Sequence, residues 1–458
     1  MTNMNFPTVE TDLVVVGGGP AGFCAAVAAA RQGVRVTLVE KNGFAGGMAT
    51  AGLVGPFMTC YDKSGETMII RGLFEEVVER LVERGGAIHP AQVRSGSAYT
   101  SWITVGHDHC TPFDAEILKK LIDDMLTEAG VNVLYHVEFL ETRMEDNTAK
   151  GITVHTKSGY LTIHAKVVID CTGDGDAAVS AGVPFEMGNS KLGIMQPATM
   201  FFRICNVDSK AVEADIAANK HLFHRENGVN YRSFHWHVAE ARAAGDWTLD
   251  RVSIGLYKCV QDDEWCVNTS RIMGIDSTDS TSLTRGEIEG RRQVEQILHF
   301  LRKYVPGCER AKLLSSASTL GIRESRHMEG EYRLTLEDVL NGAVPEDSIV
   351  LCSNSVDVHG RFGSKSNEYI TVQNGEYYGI PYRCLVPRKI DGLLFAGRCV
   401  SAESEAAGAV RVMPPCMAMG QAVGTAAAIA VKKGVQPRDI AAAELIKELI
   451  QNGAYLKA

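Results

Sequence analysis

The sequence lacks the usual marks of a disulfide-bonded, secreted or membrane-spanning protein. Its 12 cysteines are scattered singly and form no CxxC pair. The N-terminal residues have no basic stretch followed by an apolar core, and no apolar run reaches the length of a membrane span. We therefore expect a protein of the reducing cytoplasm, in which cysteines act as small buried hydrophobic residues.

Basic runs and basic aromatic patches are also missing, and the formal net charge is −9. A surface of this sign has no electrostatic attraction for phosphate backbones or for anionic membranes. We therefore expect neither nucleic acid nor a membrane as a partner.

Glycine, by contrast, is abundant, with 45 residues, several of them clustered. The first cluster, Gly17-x-Gly19-x-x-Gly22, lies between a short apolar run typical of a buried strand and an Ala-rich run typical of a helix. A second strand-like run ends at Glu40. Glycines at this spacing permit a tight turn, close approach of the backbone to a pyrophosphate and close packing of helix on strand, while the acid can accept hydrogen bonds from a ribose. The segment thus predicts a βαβ unit that binds a dinucleotide.

The residues that follow favour FAD through a resemblance. The stretch "EKNGFAGGMATAG" is similar to the glutathione-reductase-type flavoproteins, in which a second glycine pair, here Gly46-Gly47, lets the backbone run along the ribityl chain and the flavin ring. The predicted β-meander "GITVHTKSGYLTIHAKVVID" and the strand that ends before Thr172-Gly173 also match the layout of that superfamily.

The C-terminal part carries a narrower resemblance. The segment "LLFAGRCVSAESEAAGAVRVMPPCMAMGQAVGTAAA" resembles the third FAD motif of the superfamily. With "TLGIRESRHMEGEYRLT" and "FDAEILKKLIDDMLTEAGVNVLYH", it resembles the family called FAD-dependent oxidoreductases (FAD_oxidored type) over essentially the whole chain. The sequence departs from the superfamily at Gly397-Arg398, where Gly-Asp is common.

Pro414 and Pro415 suit the start of a helix, because the first N–H groups of a helix have no intrahelical partner. The positive end of this helix can face the electron-rich edge of a flavin and stabilise its reduced form. Small residues farther along, among them Gly420 and Gly424, predict a close approach to neighbouring elements. The glycine motif and the resemblance together predict these cofactor-binding residues: Gly17, Gly19, Pro20, Ala21, Gly22, Glu40, Lys41, Gly46, Gly47, Met48, Ala49, Val137, Thr172, Gly173, Gly397, Arg398, Val412, Met413, Cys416 and Met417.

These patterns predict an α/β fold, with a Rossmann-like FAD-binding domain that contains a parallel sheet and a β-meander, and with an inserted α+β substrate domain. We place the FAD-binding domain at 10–185 and 381–458 and the substrate or cap domain at 186–380. Apolar periodicity and capping residues predict helices at 73–82, 114–129, 209–219, 285–305 and 414–432.

The resemblance implies an FAD-dependent oxidoreductase. Because FAD carries the hydride, the protein needs only to position a substrate and to handle one proton. A single dinucleotide signature argues against a second, NAD(P)-binding domain. We expect a small polar substrate, such as a sugar derivative or a hydroxy acid, and an external electron acceptor or donor.

His327 is our candidate for proton transfer, since the ordinary pKa of histidine is close to neutral. Arg323 is placed nearby to hold an anion or an oxyanion. His359 and Tyr378 lie in predicted loops between the domains, and Arg411 precedes the flavin helix, where it could bind a carboxylate or the flavin. The "HDHC" stretch has no second ligand cluster, so we expect no metal.

Three other functions are compatible with the sequence. One is a reductase that NAD(P)H feeds directly, and another is a flavoprotein whose FAD is structural within a larger assembly. A binding protein without FAD is the third. Both directions of reaction, and a monomer as well as a homo-oligomer, fit the sequence.

Overall fold

The structure is a computed structural model and describes residues 7–189, 195–359 and 367–456. The strands in chain order are β1 (Thr8–Glu10), β2 (Leu13–Val16), β3 (Val36–Glu40), β4 (Asn132–Tyr135), β5 (Glu138–Glu145), β6 (Thr148–Thr156), β7 (Gly159–His164), β8 (Val167–Asp170), β9 (Phe185–Met187), β10 (Phe202–Cys205), β11 (His224–Glu226), β12 (Val229–Tyr231), β13 (Leu256–Lys258), β14 (Trp265–Val267), β15 (Lys312–Ser316), β16 (Arg326–Met328), β17 (Ser348–Cys352), β18 (Val356–His359), β19 (Asn367–Ile370), β20 (Tyr378–Pro381) and β21 (Leu393–Phe395). The α-helices are α1 (Pro20–Arg31), α2 (Leu73–Glu83), α3 (Ala115–Glu128), α4 (Asp176–Ser180), α5 (Ser209–Asn219), α6 (His235–Ala243), α7 (Ser280–Tyr304), α8 (Leu336–Leu340), α9 (Ser404–Val410), α10 (Met413–Lys433) and α11 (Ala442–Gln451).

A five-stranded parallel sheet, in the order β21-β8-β2-β3-β4, carries the predicted dinucleotide-binding unit. Every residue of β2 and β3 is buried, as expected for β-branched runs covered on both faces. The strand β21, far along the chain, joins the edge of this sheet beside β8. The mixed α/β fold with a parallel sheet is therefore confirmed.

Helix α10 lies against α1 at very short range. An added Cβ on Gly420 would lie 2.0 Å from the carbonyl oxygen of Ala21, and one on Gly424 would lie 2.2 Å from that of Ala25. Small residues on α10 thus serve close packing, as predicted.

The same helix corrects one expectation. The sequence was expected to contain no run long and apolar enough to cross a membrane, but α10 is such a helix by length and composition. Of its most apolar 18-residue stretch, however, 89% is buried inside the protein. Its apolar surface is thus covered by α1 and its other neighbours in the core.

Two further sheets complete the frame of the site. Strands β5, β6 and β7 form an antiparallel meander, with β1 added in parallel at the edge. The segment 151–170, predicted to be the meander, supplies only β6 and β7 to it, because the fully buried run of β8 pairs in parallel with β2 in the main sheet. An antiparallel sheet in the order β13-β14-β10-β15 packs with α7 around a second hydrophobic core. Residues of 334–386 pack instead in the first core with α1 and α10, so the 186–380 segment contributes to both cores. The domain boundaries stay a prediction.

The helix predictions agree with the structure to within a few residues, except that α7 begins at Ser280 rather than at 285. Asp114 caps α3, accepting hydrogen bonds from the backbone N–H groups of Glu116 and Ile117. Strands β4 and β5 follow each other closely in the chain but are separated at His136, whose φ is +57°. All twelve cysteines are free thiols.

Candidate functional site

A deep cleft of about 640 Å³ opens at the carboxyl ends of the parallel strands. Ligands of doubly wound sheets bind at this edge, where the loops after the strands converge. Of the predicted cofactor-binding residues, the cleft is lined by Gly17, Gly19, Pro20, Ala21, Glu40, Lys41, Gly47, Met48, Val137, Thr172, Gly173, Gly397, Arg398, Val412, Met413 and Cys416. Gly22, Gly46, Ala49 and Met417 are buried and lie outside the lining.

The three glycines after β2 have distinct roles. Gly17 has a φ of +93°, and an added Cβ would lie 2.6 Å from the carbonyl oxygen of Cys171. A Cβ on Gly22 would lie 1.8 Å from the carbonyl oxygen of Gly17. Gly19, in contrast, has no protein atom within 4 Å of its added Cβ, so its side faces the open cleft. The loop thus lets a ligand approach the N-terminus of α1, where the helix dipole favours phosphate.

Glu40 is buried at the end of β3 with its carboxylate turned toward the glycine loop. Its Oε2 accepts a hydrogen bond from the Gly18 N–H at 2.7 Å, and its Oε1 accepts two from Asn42 at 2.8 Å. A carboxylate has about four acceptor sites, so one remains for a ribose hydroxyl.

Asp170 fixes the loop that follows β8. Its fully buried carboxylate accepts hydrogen bonds from the Thr172 N–H, the Thr172 hydroxyl and the Ala178 N–H at 2.7–2.9 Å. Burial raises the pKa of Asp170 to about 6, although these bonds oppose the shift. The loop thereby holds Thr172 and Gly173 on the cleft wall.

The N-terminus of α10 closes the far end of the cleft. Val412 is the N-cap, and Pro414 and Pro415 occupy the first turn, as predicted. Since proline has no N–H, Met413 alone carries one among the first three helical positions. The helix therefore acts on a ligand mainly through its dipole and this single donor.

A side pocket of about 120 Å³ adjoins this end of the cleft. It is walled by Ser101, His107, Arg232, Arg251, Asn268 and Asp357, among others. The side pocket and the cleft share the lining residues Val54, Met58, Phe201, Arg323, Arg411 and Val412. The two cavities thus meet at the start of α10.

The five predicted catalytic residues have different positions. Arg323 and Arg411 line both cavities. His327 and Tyr378 are buried and line neither, with His327 Nε2 3.4 Å from Glu324 Oε1. The Tyr378 hydroxyl donates to the carbonyl oxygen of Asn354 at 3.1 Å, and burial raises its pKa. His359 ends β18, and its side chain lies outside the described residues.

Comparison with known proteins identifies the family of the chain. Residues 12–449 match the family described as FAD dependent oxidoreductase. The chain belongs to this family. FAD is its cofactor, and it is an oxidoreductase; its place within the glutathione-reductase-type superfamily stays a prediction.

Individual relatives match only part of this oxidoreductase. Thiamine thiazole synthase of Methanococcus aeolicus is 27% identical over 199 residues, which are 41% of this chain and 64% of the relative. Digeranylgeranylglycerophospholipid reductase 1 of Methanococcoides burtonii is 26% identical over 36% of this chain and 38% of its own. The chain therefore spans less than two thirds of these relatives. A geranylgeranyl bacteriochlorophyll reductase-like structure from Thermoplasma acidophilum superposes with a TM-score of 0.45 at 11% identity, covering 97% of this chain and 83% of that one.

The cleft of the oxidoreductase fits FAD on its own geometry. The open face of Gly19 and the N-terminus of α1 suit the pyrophosphate, and Glu40 suits the adenosine ribose. The N-terminus of α10 and Met48 flank the end that would hold the flavin ring. In the described part of the chain, no group of three or more His, Cys, Asp or Glu residues is placed to hold a metal ion.

Several site residues escape the sequence analysis. Arg232 and Arg251 are distant in sequence from every motif, and only the fold brings them to the side pocket. His107 was singled out only as a poor metal ligand. Asp174 follows the predicted Thr172-Gly173 pair, which was the one signal that could have found it.

Proposed function

We propose that the enzyme oxidises or reduces a small polar organic substrate that binds in the side pocket. The observation that carries this proposal is the junction of the two cavities at Arg323, Arg411 and Val412. A molecule in the side pocket there lies next to the end of the cleft closed by α10. When bound, FAD supplies the redox chemistry by exchanging a hydride with a substrate carbon.

The chain's own residues position the substrate and its charge. Arg323 and Arg411 present guanidinium groups at the junction, where they can hold an oxygen that gains negative charge during reaction. His327 and Tyr378 contact neither cavity, so in this proposal they support the site from behind.

The lining of the side pocket favours a small polar molecule over an isoprenoid chain. Arginine, asparagine, serine and histidine side chains make up much of its wall. Burying such groups against an apolar ligand would leave their hydrogen bonds unmade, which is costly. A hydroxy acid or a sugar derivative satisfies them better. We also propose a cytoplasmic location, which the twelve free thiols support.

The test is an anaerobic screen of the purified holoenzyme, followed by the visible absorbance of the flavin. Pools of hydroxy acids, sugar acids and polyols are added first, then NADH and NADPH separately. Bleaching by a member of the first pools supports the proposal in the oxidative direction. Rapid bleaching by NAD(P)H alone, without any substrate, favours the directly fed reductase. The proposal is contradicted if no donor bleaches the flavin and no tested compound reoxidises the enzyme after reduction with dithionite. That result would favour a structural flavin.

A further inference from the structure

The side pocket has a marked excess of positive charge. Four arginines contribute to its lining, namely Arg232, Arg251, Arg323 and Arg411. Among the described residues of the lining, Asp357 is the one carboxylate. It lies 3.5 Å from the Arg411 guanidinium. Because arginine stays protonated at any ordinary pH, these four charges persist in the folded protein.

Arg323 is held by neutral groups. Its Nη2 donates to the hydroxyl of Thr199 at 3.0 Å and to the amide oxygen of Asn268 at 3.4 Å. It forms no ion pair with any carboxylate of the described chain. These two contacts fix the direction of the guanidinium but leave its charge unbalanced, and a partly buried charge is costly without an opposite one. The remaining N–H groups form a planar fork that matches an oxyanion.

Arg232 adds a second charge of the same kind. Its backbone N–H donates to Ser253 Oγ at 2.9 Å, and its side chain forms no ion pair with a carboxylate in the described ranges. Its guanidinium is close enough to His107 to help keep that imidazole neutral, in addition to the larger effect of burial. A neutral imidazole can donate or accept a hydrogen bond without adding a charge.

We propose that the side pocket selects a small substrate bearing an oxyanion, a carboxylate or a phosphate ester, which Arg232 and Arg323 bind directly. This inference rests on the proposed function, because it names the substrate class of the same site. Arg411, which Asp357 partly neutralises, orients the substrate at the junction with the cofactor cleft. Neutral polyols carry no negative charge to pair with these arginines.

The test measures binding rather than turnover. FAD-loaded enzyme is titrated at constant ionic strength with malonate, inorganic phosphate and malonamide, the neutral counterpart of malonate. Binding is followed by the flavin difference spectrum and by the melting temperature. We expect saturable binding of malonate or phosphate, and binding of malonamide weaker by about 10- to 100-fold. Tighter binding of malonate would indicate a carboxylate substrate, and tighter binding of inorganic phosphate would indicate a phosphate ester.

Variants localise the binding. Arg323→Met and Arg232→Met should each weaken anion binding by about 10- to 100-fold, and Arg323→Lys should recover part of the loss because it restores a point charge. The control is Arg291→Met, since Arg291 lies on the exposed face of α7 in an ion pair with Glu287. FAD content, read from the spectrum, shows that each variant is folded.

The outcomes separate this inference from the proposed function. Equal binding of malonamide and malonate, no saturable binding of either anion, or unchanged binding by both Met variants overturns the inference. Reduction of the flavin by neutral compounds, without any preference for anions, also overturns it but keeps the proposed function. Arginine-dependent anion binding in an enzyme that no donor reduces supports the inference and contradicts the proposed function.

Discussion

Arg398 Nη2 lies 2.7 Å from Asp174 Oδ1, so a cation and an anion from two loops meet on the wall of the cofactor cleft. The guanidinium also donates to the carbonyl oxygens of Gly173 at 3.1 Å and Ile322 at 3.0 Å, and Asp174 accepts from Ser277 Oγ at 2.7 Å. Burial alone would raise the pKa of Asp174, but the charge of Arg398 and the hydrogen bonds hold that pKa below its usual value. The pair stays ionised at neutral pH and joins four segments of the chain at the cofactor cleft.

Arg398→Met should weaken FAD binding by about 10- to 100-fold, because it leaves the Asp174 carboxylate without its partner in a site that must accept a pyrophosphate. The double variant Asp174→Asn/Arg398→Met removes that charge and should regain part of the affinity. The FAD dissociation constants of wild type, Arg398→Met, Asp174→Asn and the double variant, measured by flavin fluorescence, give the coupling energy, for which we expect about 0.5–3 kcal/mol. Additive losses in the double variant would show that the pair does not act as a unit.

Gly424→Ala should destabilise the protein by about 1–3 kcal/mol or more, because the added methyl group meets the backbone of α1 and neither helix can yield without moving the sheet. Urea denaturation of the apoprotein measures the loss. The matched control is Gly19→Ala, where the same methyl group meets no protein atom within 4 Å. We expect that control to cost less than about 1 kcal/mol. Equal losses for the two variants would contradict the close packing of α1 and α10.

His107 should make stability depend on pH. Burial lowers its pKa to about 4, although its hydrogen bond to the Val105 carbonyl oxygen opposes the shift. Between the ordinary pKa of about 6.5 and this value, the unfolded chain binds a proton that the folded protein does not. The free energy of unfolding therefore falls as the pH falls, by about 2 kcal/mol between pH 7.5 and pH 5 for this group.

The measurement compares wild type with His107→Gln by urea denaturation at both pH values, without substrate. In His107→Gln, the change in the free energy of unfolding between the two pH values should be smaller than in wild type by about 2 kcal/mol. The control is His155→Gln, at an exposed position of β6, for which this change should equal that of wild type. A pH dependence that is the same in wild type and His107→Gln would show that folding does not lower the pKa of His107.

The fold and the cofactor cleft were largely readable from the sequence because they rest on local signals. The glycine loop, the buried strand before it and Glu40 lie within one βαβ unit, so their spacing alone fixes their geometry. Pro414 and Pro415 mark the start of α10 for a similarly local reason. The position of Arg398 was also predicted, but its partner Asp174 was not.

The side pocket was readable only in part: Arg323 and Arg411 were predicted, but the rest of its wall comes from distant parts of the chain. Arg232, Arg251 and Arg323 are brought together by the antiparallel sheet and its loops, and no spacing rule connects them. His327 was chosen for its ordinary pKa and its neighbours in sequence, yet its strand pairs with β9 and turns it into the interior. Residue types such as histidine and arginine identify candidates for catalysis or binding, but only the tertiary contacts determine which of them face a ligand.

The most direct test of the cofactor cleft is the FAD stoichiometry of Gly19→Leu. Gly19 has an extended backbone that leucine can adopt, and its side faces open space, so the variant should fold with an unchanged apoprotein melting temperature. Ser158→Leu, in an exposed turn of the meander, is the control for a bulky replacement. Equilibrium dialysis should show one FAD per chain for wild type and for the control, and at least a hundredfold weaker binding for Gly19→Leu. Full retention of FAD by a folded Gly19→Leu would contradict the placement of the cofactor in this cleft.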